Sequence, residues 1–371
     1  MMERRVYMRL RPPPGYLVAA LAAALLGFYL ASATRTIEPC AYADVAEAAA
    51  VRMAEATRIL KAELLEEGIA IETGLDPNKT GLIGPEWTPL TTTLGDLEAK
   101  RSTLNPNFAA LLVRYFHDAG LKEGDMIAIG ASGSFPGLLV ATLCAAREMG
   151  LNTMTIASFG ASTYGATRPE FSIAKMLRVL SAASVVPDSL IAVSPGGDGD
   201  YGENPMFEDS RAIVDRLAKE SGARFIRFDP PDLEASIRER LGLYEDRAGG
   251  REIACFVNIG GASANSGTSS YTLDFPQGLV LDPPRIPLSA TRGLVYEFAA
   301  RGVPVINLLN VRRLAEENGL PFDPIPLPAP GEGGVYSDAA YEPAAIALAL
   351  AAPIGVLVFG VARRRKRDRT A

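Results

Sequence analysis

Two stretches of the chain carry no charge, and between them apolar and polar runs alternate. Tyr16–Ala33 reads YLVAALAAALLGFYLASA and Pro343–Ala362 reads PAAIALALAAPIGVLVFGVA. At about 1.5 Å of rise per residue, each spans a hydrocarbon core about 30 Å thick. A lone segment in lipid satisfies its backbone polar groups only as a helix, so both read as transmembrane helices. For the second, a buried core helix is the alternative reading. The first also resembles a secretory signal, because Ala31-Ser32-Ala33 fits a small-x-small cleavage site. Its apolar run is longer than a usual signal core, which favours retention as an anchor. Cys40 follows Ile37-Glu38-Pro39 and lacks the small residues of a lipoprotein cleavage site.

Residues 41–68 have helical spacing, with Val45, Ala49, Met53, Ala56, Leu60 and Leu64 recurring at three and four and Gly68 as a stop. Residues 73–104 are rich in Gly, Pro and Thr and read as extended or looped, around the single tryptophan, Trp87. From Asn105 the pattern switches between helical and strand periods. Helix-like Pro106–Ala119, Gly137–Met149, Phe171–Ala183, Asp209–Ser221 and Asp232–Leu243 each precede or follow a short apolar run. Those runs are Met126–Ala131, Thr153–Ala157, Leu190–Ser194, Arg224–Phe228 and Ile253–Asn258. Further runs at Gly278–Leu281 and Val303–Leu308 go with helices near Thr291–Ala300 and Val311–Asn318. Alternation of this kind predicts an α/β fold, a mostly parallel sheet with helices on both faces in a Rossmann-like three-layer arrangement. PFDPIPLPAPGEGG, residues 321–334, reads as a proline-rich stalk.

The predicted order is a basic tail (1–15), a transmembrane or signal segment (16–33), and a helix with a Gly/Pro/Thr-rich segment packing on the main domain (34–104). There follow the α/β domain (105–320), the stalk (321–342), a second transmembrane helix (343–362) and a basic tail (363–371). Arg4, Arg5, Arg9 and Arg11 precede the first helix, and Arg363, Arg364, Arg365, Lys366, Arg367 and Arg369 follow the second. Positive flanks stay cytoplasmic, so both tails face the cytoplasm and the main domain is extracytoplasmic, on a cytoplasmic membrane. Cleavage of the first segment would leave a single pass.

Charge then changes the picture of what the exported part meets. The whole chain carries −6, but its ten flanking basic residues belong to the tails; with Glu3 and Asp368 also set aside, 27 basic against 41 acidic residues remain, or −14. Such a surface repels polyanions over roughly 10 Å, so an anionic ligand needs a local site, and nucleic acid is not expected as a partner. Three cysteines exclude a disulfide-dense scaffold, and Cys144 and Cys255 fall in apolar runs as core residues. One histidine, His117, excludes a histidine-rich metal site.

Parallel sheets bind ligands at the carboxyl ends of their strands, and several predicted strands here end in glycine-rich turns. They are Gly130-Ala131-Ser132-Gly133-Ser134-Phe135-Pro136-Gly137, Ser158–Gly165 followed by Arg168, Ser194–Gly202, and Asn258–Gly267. Converging turns predict a crevice, with structural tight turns as the alternative. Ser132, Gly133, Ser134, Arg168, Asn258, Gly260, Gly261 and Ser263 are the candidate ligand-binding residues. Backbone N–H groups and hydroxyls accept a carboxylate or phosphate there, and a guanidinium clasps a carboxylate. The first turn lacks the lysine of a Walker motif, and no cofactor is expected.

Ser132 is a candidate nucleophile, but Gly130-Ala131-Ser132-Gly133-Ser134 puts serine where G-x-S-x-G needs glycine. His117 sits on the helix before the strand, toward the opposite end of the sheet, which leaves Lys100 or Lys175 as candidate bases. An N-cap or anion donor is the competing role for Ser132. Asp198 and Asp200, with Glu203 and Asn204, are oxygen-rich but lack an EF-hand continuation, so no metal site is assigned. Glu86, Thr91, Thr92, Thr93 and Lys100 gather polar groups around Trp87 without a defined chemistry.

GLIGPEWTPLTTTLGDLEAKRSTLNPNFAALLVRYF, IGASGSFPGLLVATLCAAREMGL and VNIGGASANSG resemble the bacterial poly-gamma-glutamate system protein family, over most of residues 40–340. The resemblance implies a membrane-anchored accessory role in making, exporting or anchoring poly-γ-glutamate, a capsule-like polyanion. Its implied partners are poly-γ-glutamate or a γ-glutamyl oligomer, and the membrane-bound synthase and export components. It carries no catalytic motif over to these residues. An extracytoplasmic hydrolase or transferase of γ-glutamyl bonds is the second reading.

Overall fold

The computed structural model describes residues 12–268 and 271–370; Arg4, Arg5, Arg9, Arg11 and the side chain of Arg369 lie outside them. The chain divides into two units, one formed by its two ends and one by residues 41–336.

In the first unit, helices Pro14–Ala33 and Pro343–Thr370 are long and apolar enough to cross a membrane. They run antiparallel. A Cβ on Gly27 would lie 2.7 Å from Ala349 Cα, and the rings of Tyr16 and Phe359 lie 6.2 Å apart. Leu17, Leu21, Phe28, Leu348, Ile354 and Phe359 remain exposed on their outer faces, unlike the side chains of a core helix. A two-stranded antiparallel ribbon, Thr36–Pro39 with Ser337–Ala340, continues the pair. The C-terminal part of the expected stalk is therefore a strand.

The second unit is three-layered. Its elements run α1 (Ala43–Glu66), β1 (Thr91–Thr93), α2 (Leu97–Ser102), α3 (Asn107–Asp118), β2 (Met126–Ser132), α4 (Pro136–Glu148), β3 (Asn152–Ser158) and β4 (Ala161–Ser162). They continue with α5 (Ile173–Ala182), β5 (Leu190–Ser194), α6 (Ser210–Ser221), β6 (Arg224–Phe225), α7 (Leu233–Ala248) and β7 (Ile253–Ile259). The last are β8 (Gly278–Val280), α8 (Leu294–Ala300), β9 (Val305–Leu308) and α9 (Val311–Glu317). The main sheet has seven strands in the order β6-β5-β3-β2-β7-β9-β8. All neighbours are parallel except the pair of β8 with β9. Because the sheet is covered on both faces, β2 is buried at every position, which is why MIAIGAS reads as an unbroken small-and-apolar run.

Ile237, Leu241 and Tyr244 of α7 and Leu294 and Phe298 of α8 meet Ala128, Ile156 and Phe256 of the sheet in one core. There Phe256 and Phe298 stack at 4.6 Å, and the Tyr244 hydroxyl donates to Ile129 O at 2.7 Å. Helix α1 packs on α3 and α4 through Ala46, Ala49, Ala50, Met53, Ala56, Leu60 and Leu64. Val45, expected in that stripe, is exposed, and Ala46 takes its place. Cys144 and Cys255 are buried as expected, and burial pushes the Cys144 thiol up to about 12.

Two segments differ from expectation. Residues 73–104 contain β1, which pairs in parallel with β4, and α2, whose N-terminus is capped by the Asp96 carboxylate on Glu98 N at 2.9 Å. Residues 321–336 are not a free stalk. Arg101 Nε donates to Asp323 Oδ1 at 2.6 Å, Asn78 Nδ2 to Pro324 O at 3.0 Å and Asn107 Nδ2 to Ala329 O at 3.0 Å. Side-chain donors thus occupy carbonyls of a proline-rich strap that has few N–H groups with which to form a ladder.

Candidate functional site

Strand order places the site. From β2 the chain builds outward through β3, β5 and β6, then returns to add β7 on the other side of β2. The loops after β2 and β7 therefore part in opposite directions, and a crevice opens at their carboxyl ends. A cleft of about 1290 Å³ lies there. Its floor and walls are Ser132, Ser134 and Phe135 after β2, Gly160 and Ser162 after β3, and Gly197 and Asp198 after β5. Gly261, Ala262 and Ser263 after β7, and Leu309–Arg313 after β9, complete one side. Thr92–Lys100 and Leu273–Gln277 close the other approaches.

Of the candidate ligand-binding residues, the cleft gathers Ser132, Ser134, Gly261 and Ser263. Gly260 stands directly behind Ser132 with φ +84°, and a Cβ there would lie 2.2 Å from Ser132 Oγ. Gly133 faces away, its Cβ position 2.9 Å from Phe159 O. Asn258 is fully buried beneath the cleft, donating to Asn307 Oδ1 at 2.8 Å and to Gly260 O at 3.0 Å. Asn307 in turn donates to Pro276 O at 2.9 Å, so this pair ties the Asn258–Gly267 turn to the wall before β8.

Arg168 is not brought to the cleft. Its Nη1 donates to Ile83 O at 2.6 Å, and burial lowers its pKa. Asp198 and Asp200 point apart. Asp198 Oδ1 accepts from Ser263 Oγ at 3.0 Å on the rim, which fixes Ser263. Asp200 is buried against Arg240, with Nη1 to Oδ2 at 2.9 Å, and also accepts from Ser236 Oγ and Gly196 N. Glu203 pairs with Arg211 and Arg227, and Asn204 donates to Thr88 O. Among the described residues no group of acidic, histidine or cysteine side chains is placed to hold a metal ion. His117 is half exposed beside Asp118 at the far end of α3, and Lys175 pairs with Glu67.

Lys100 is the residue whose place the sequence did not reveal. It is 2% exposed, yet its Nζ reaches the cleft, donating to Ser134 O at 2.5 Å and to Ser162 Oγ at 2.5 Å. The Phe135 ring covers it at 3.8 Å. Burial draws the ammonium down to about 7, against a smaller opposing pull from Asp96. Among the described residues no carboxylate forms an ion pair with it. Ser162 is held from the other side, because its N–H donates to Ser134 Oγ at 3.0 Å. Neither residue carried a local signal of its place: in LEAKRS the lysine is one of four polar positions, and Ser162 lies in a glycine-rich turn with several hydroxyls.

The cleft is close to charge balance. Arg312 and Arg313 are engaged by Glu98, Glu316 and Glu317, and Asp96, Asp198 and Asp274 face them from the other walls. Contact donors, not a cationic field, would hold a ligand here: the hydroxyls already named and the backbone N–H groups of the Asn258–Gly267 turn.

Comparison with protein-family models, with curated proteins and with solved structures found no match.

Proposed function

We propose that the chain is a membrane-anchored accessory protein of poly-γ-glutamate synthesis or export. Its α/β unit sits outside the cytoplasm and takes the nascent polymer, or a γ-glutamyl segment offered by the synthase and exporter, into the switch-point cleft. The observation that carries this reading is the cleft itself: wide, open, and with hydroxyls and glycines gathered on its floor among apolar and charged walls. The polymer repeats an amide and a carboxylate, and both groups are recognised by such donors without a strong positive charge. The resemblance of residues 40–340 supplies the polymer's identity, and the two apolar helices supply the anchor.

Calorimetry of the full chain in detergent with a γ-glutamyl oligomer tests the reading. Gly261→Leu projects a side chain from the cleft wall and is expected to weaken binding by tenfold or more. Arg168→Ala, which removes no cleft group, is expected to leave affinity unchanged. Added salt should not weaken binding, since the acidic surround repels the ligand and salt screens repulsion. An oligomer that does not bind, or binds equally to the Gly261→Leu variant, overturns the proposal.

A further inference from the structure

We infer that Ser162 and Lys100 form a nucleophile–base pair that performs acyl transfer on an amide carbonyl held in the cleft. The inference rests on the polymer reading only for its substrate class, a γ-glutamyl amide. Three serines border the same point, and their hydrogen bonds distinguish them. Ser132 Oγ accepts from Ser134 N at 3.3 Å and is hemmed in by Gly260, while Ser134 Oγ accepts from Ser162 N. Ser162 Oγ alone among them contacts an amine.

A lysine that only stapled two loops together would be served by a permanent charge and a counter-ion. Lys100 has neither: it is enclosed by Phe135, Ser134 O and Ser162, and no described carboxylate pairs with it. An amine buried in this way near neutral pH spends a large part of its time unprotonated, with its lone pair free to accept the Ser162 proton. The pairing of β1 with β4 fixes the Ser162 backbone, and the Asp96 cap fixes the start of the short helix that carries Lys100. Both partners are therefore positioned before any ligand arrives.

The step balances within the chain, the amide and water. Ser162 Oγ bonds to the carbonyl carbon as its proton passes to Lys100 Nζ. The C–N bond then breaks, and Lys100 gives that proton to the departing amine, leaving an ester on Ser162. Water, or a second amine, attacks the ester while Lys100 takes its proton. The C–O bond to Ser162 breaks, and the proton returns to Ser162 Oγ.

The test uses the full chain in detergent with a fluorophosphonate probe, which phosphonylates an activated serine with loss of fluoride. Peptide mapping is expected to place the adduct on Ser162, and the labelling rate to rise about tenfold from pH 6 to pH 8. Ser162→Ala should abolish labelling. Lys100→Arg, which keeps a cation but provides no base, should slow it at least a hundredfold; Arg168→Ala, outside the cleft, should leave it intact. Each variant is compared at equal thermal unfolding. If Lys100→Arg does not fold, the pH profile of the wild-type chain decides. Absence of labelling, labelling elsewhere, or a flat pH profile overturns the pair even where γ-glutamyl oligomer still binds. Labelling of Ser162 without oligomer binding or shortening sustains the pair and overturns its γ-glutamyl substrate.

Discussion

Gly260 lies so close behind Ser132 that no side chain fits between them: a Cβ on Gly260 would fall 2.2 Å from Ser132 Oγ, and the backbone there has φ +84°. The turns after β2 and β7, far apart in sequence, thus share one wall of the cleft. Gly260→Ala meets both the steric overlap and the left-handed penalty, which costs about 1–2 kcal/mol by itself. The expected result is a melting temperature lowered by several degrees and weakened γ-glutamyl binding. An unchanged melting curve would show that the two turns are not in this contact.

The Asp200–Arg240 pair stabilises the Ser194–Gly202 turn from inside. Both side chains are almost wholly buried, and Asp200 also accepts from Gly196 N at 2.9 Å, within the turn that reaches the cleft at Gly197. Asp200→Asn keeps the size and the tolerance of positive φ but leaves a buried guanidinium without its counter-charge. Such a loss typically costs about 3–5 kcal/mol. Chemical unfolding should show a destabilisation of that order, and one below about 1 kcal/mol would mean the pair is not formed.

The sheet was legible because burial on both faces writes itself as continuous apolar runs. The predicted strands and helices from residue 105 onward overlap the observed elements, most with ends within a residue or two, although β6 is shorter and α7 longer. The switch point was not legible, because strand order depends on which neighbour β7 chooses and no local pattern records that. Elements of two or three residues, such as β1 and β4, have no period to read. The site followed the same division. Turns show as glycine and serine, so Ser132, Ser134, Gly261 and Ser263 could be singled out. Which polar side chain turns inward depends on tertiary packing, so Lys100 could be named only beside Lys175 and with Ser132 as its partner, and Arg168 was assigned to the wrong place.

The antiparallel helix pair bears on topology. Arg363 Nη1 donates to the Tyr16 hydroxyl at 3.0 Å, so the start of one apolar helix and the end of the other lie together. A bilayer crossed by this pair has Tyr16 and Arg363 on one side, and the basic run from Arg363 onward is expected to keep that side cytoplasmic. In spheroplasts, added protease should digest residues 41–336 while tags on both ends survive. Digestion of the tags with the centre protected would invert the chain.

Burial of Lys100 without a counter-charge also leaves a mark on stability, of the same sign as acid denaturation but in a neutral-to-alkaline window. The folded chain holds the ammonium only below about 7, whereas exposed lysine titrates near 10.5. Between those values the unfolded chain binds the extra proton, so stability rises with pH by up to about 1.4 kcal/mol per unit. Below pH 7 the full cost of the buried charge is in force. From pH 7 to pH 9 the wild-type chain should therefore gain about 2 kcal/mol relative to Lys100→Met, which cannot titrate at that position. Chemical unfolding of both full chains in detergent across this range measures the difference. Parallel pH profiles would mean that Lys100 keeps its proton when folded, and an amine that keeps its proton cannot take one from Ser162.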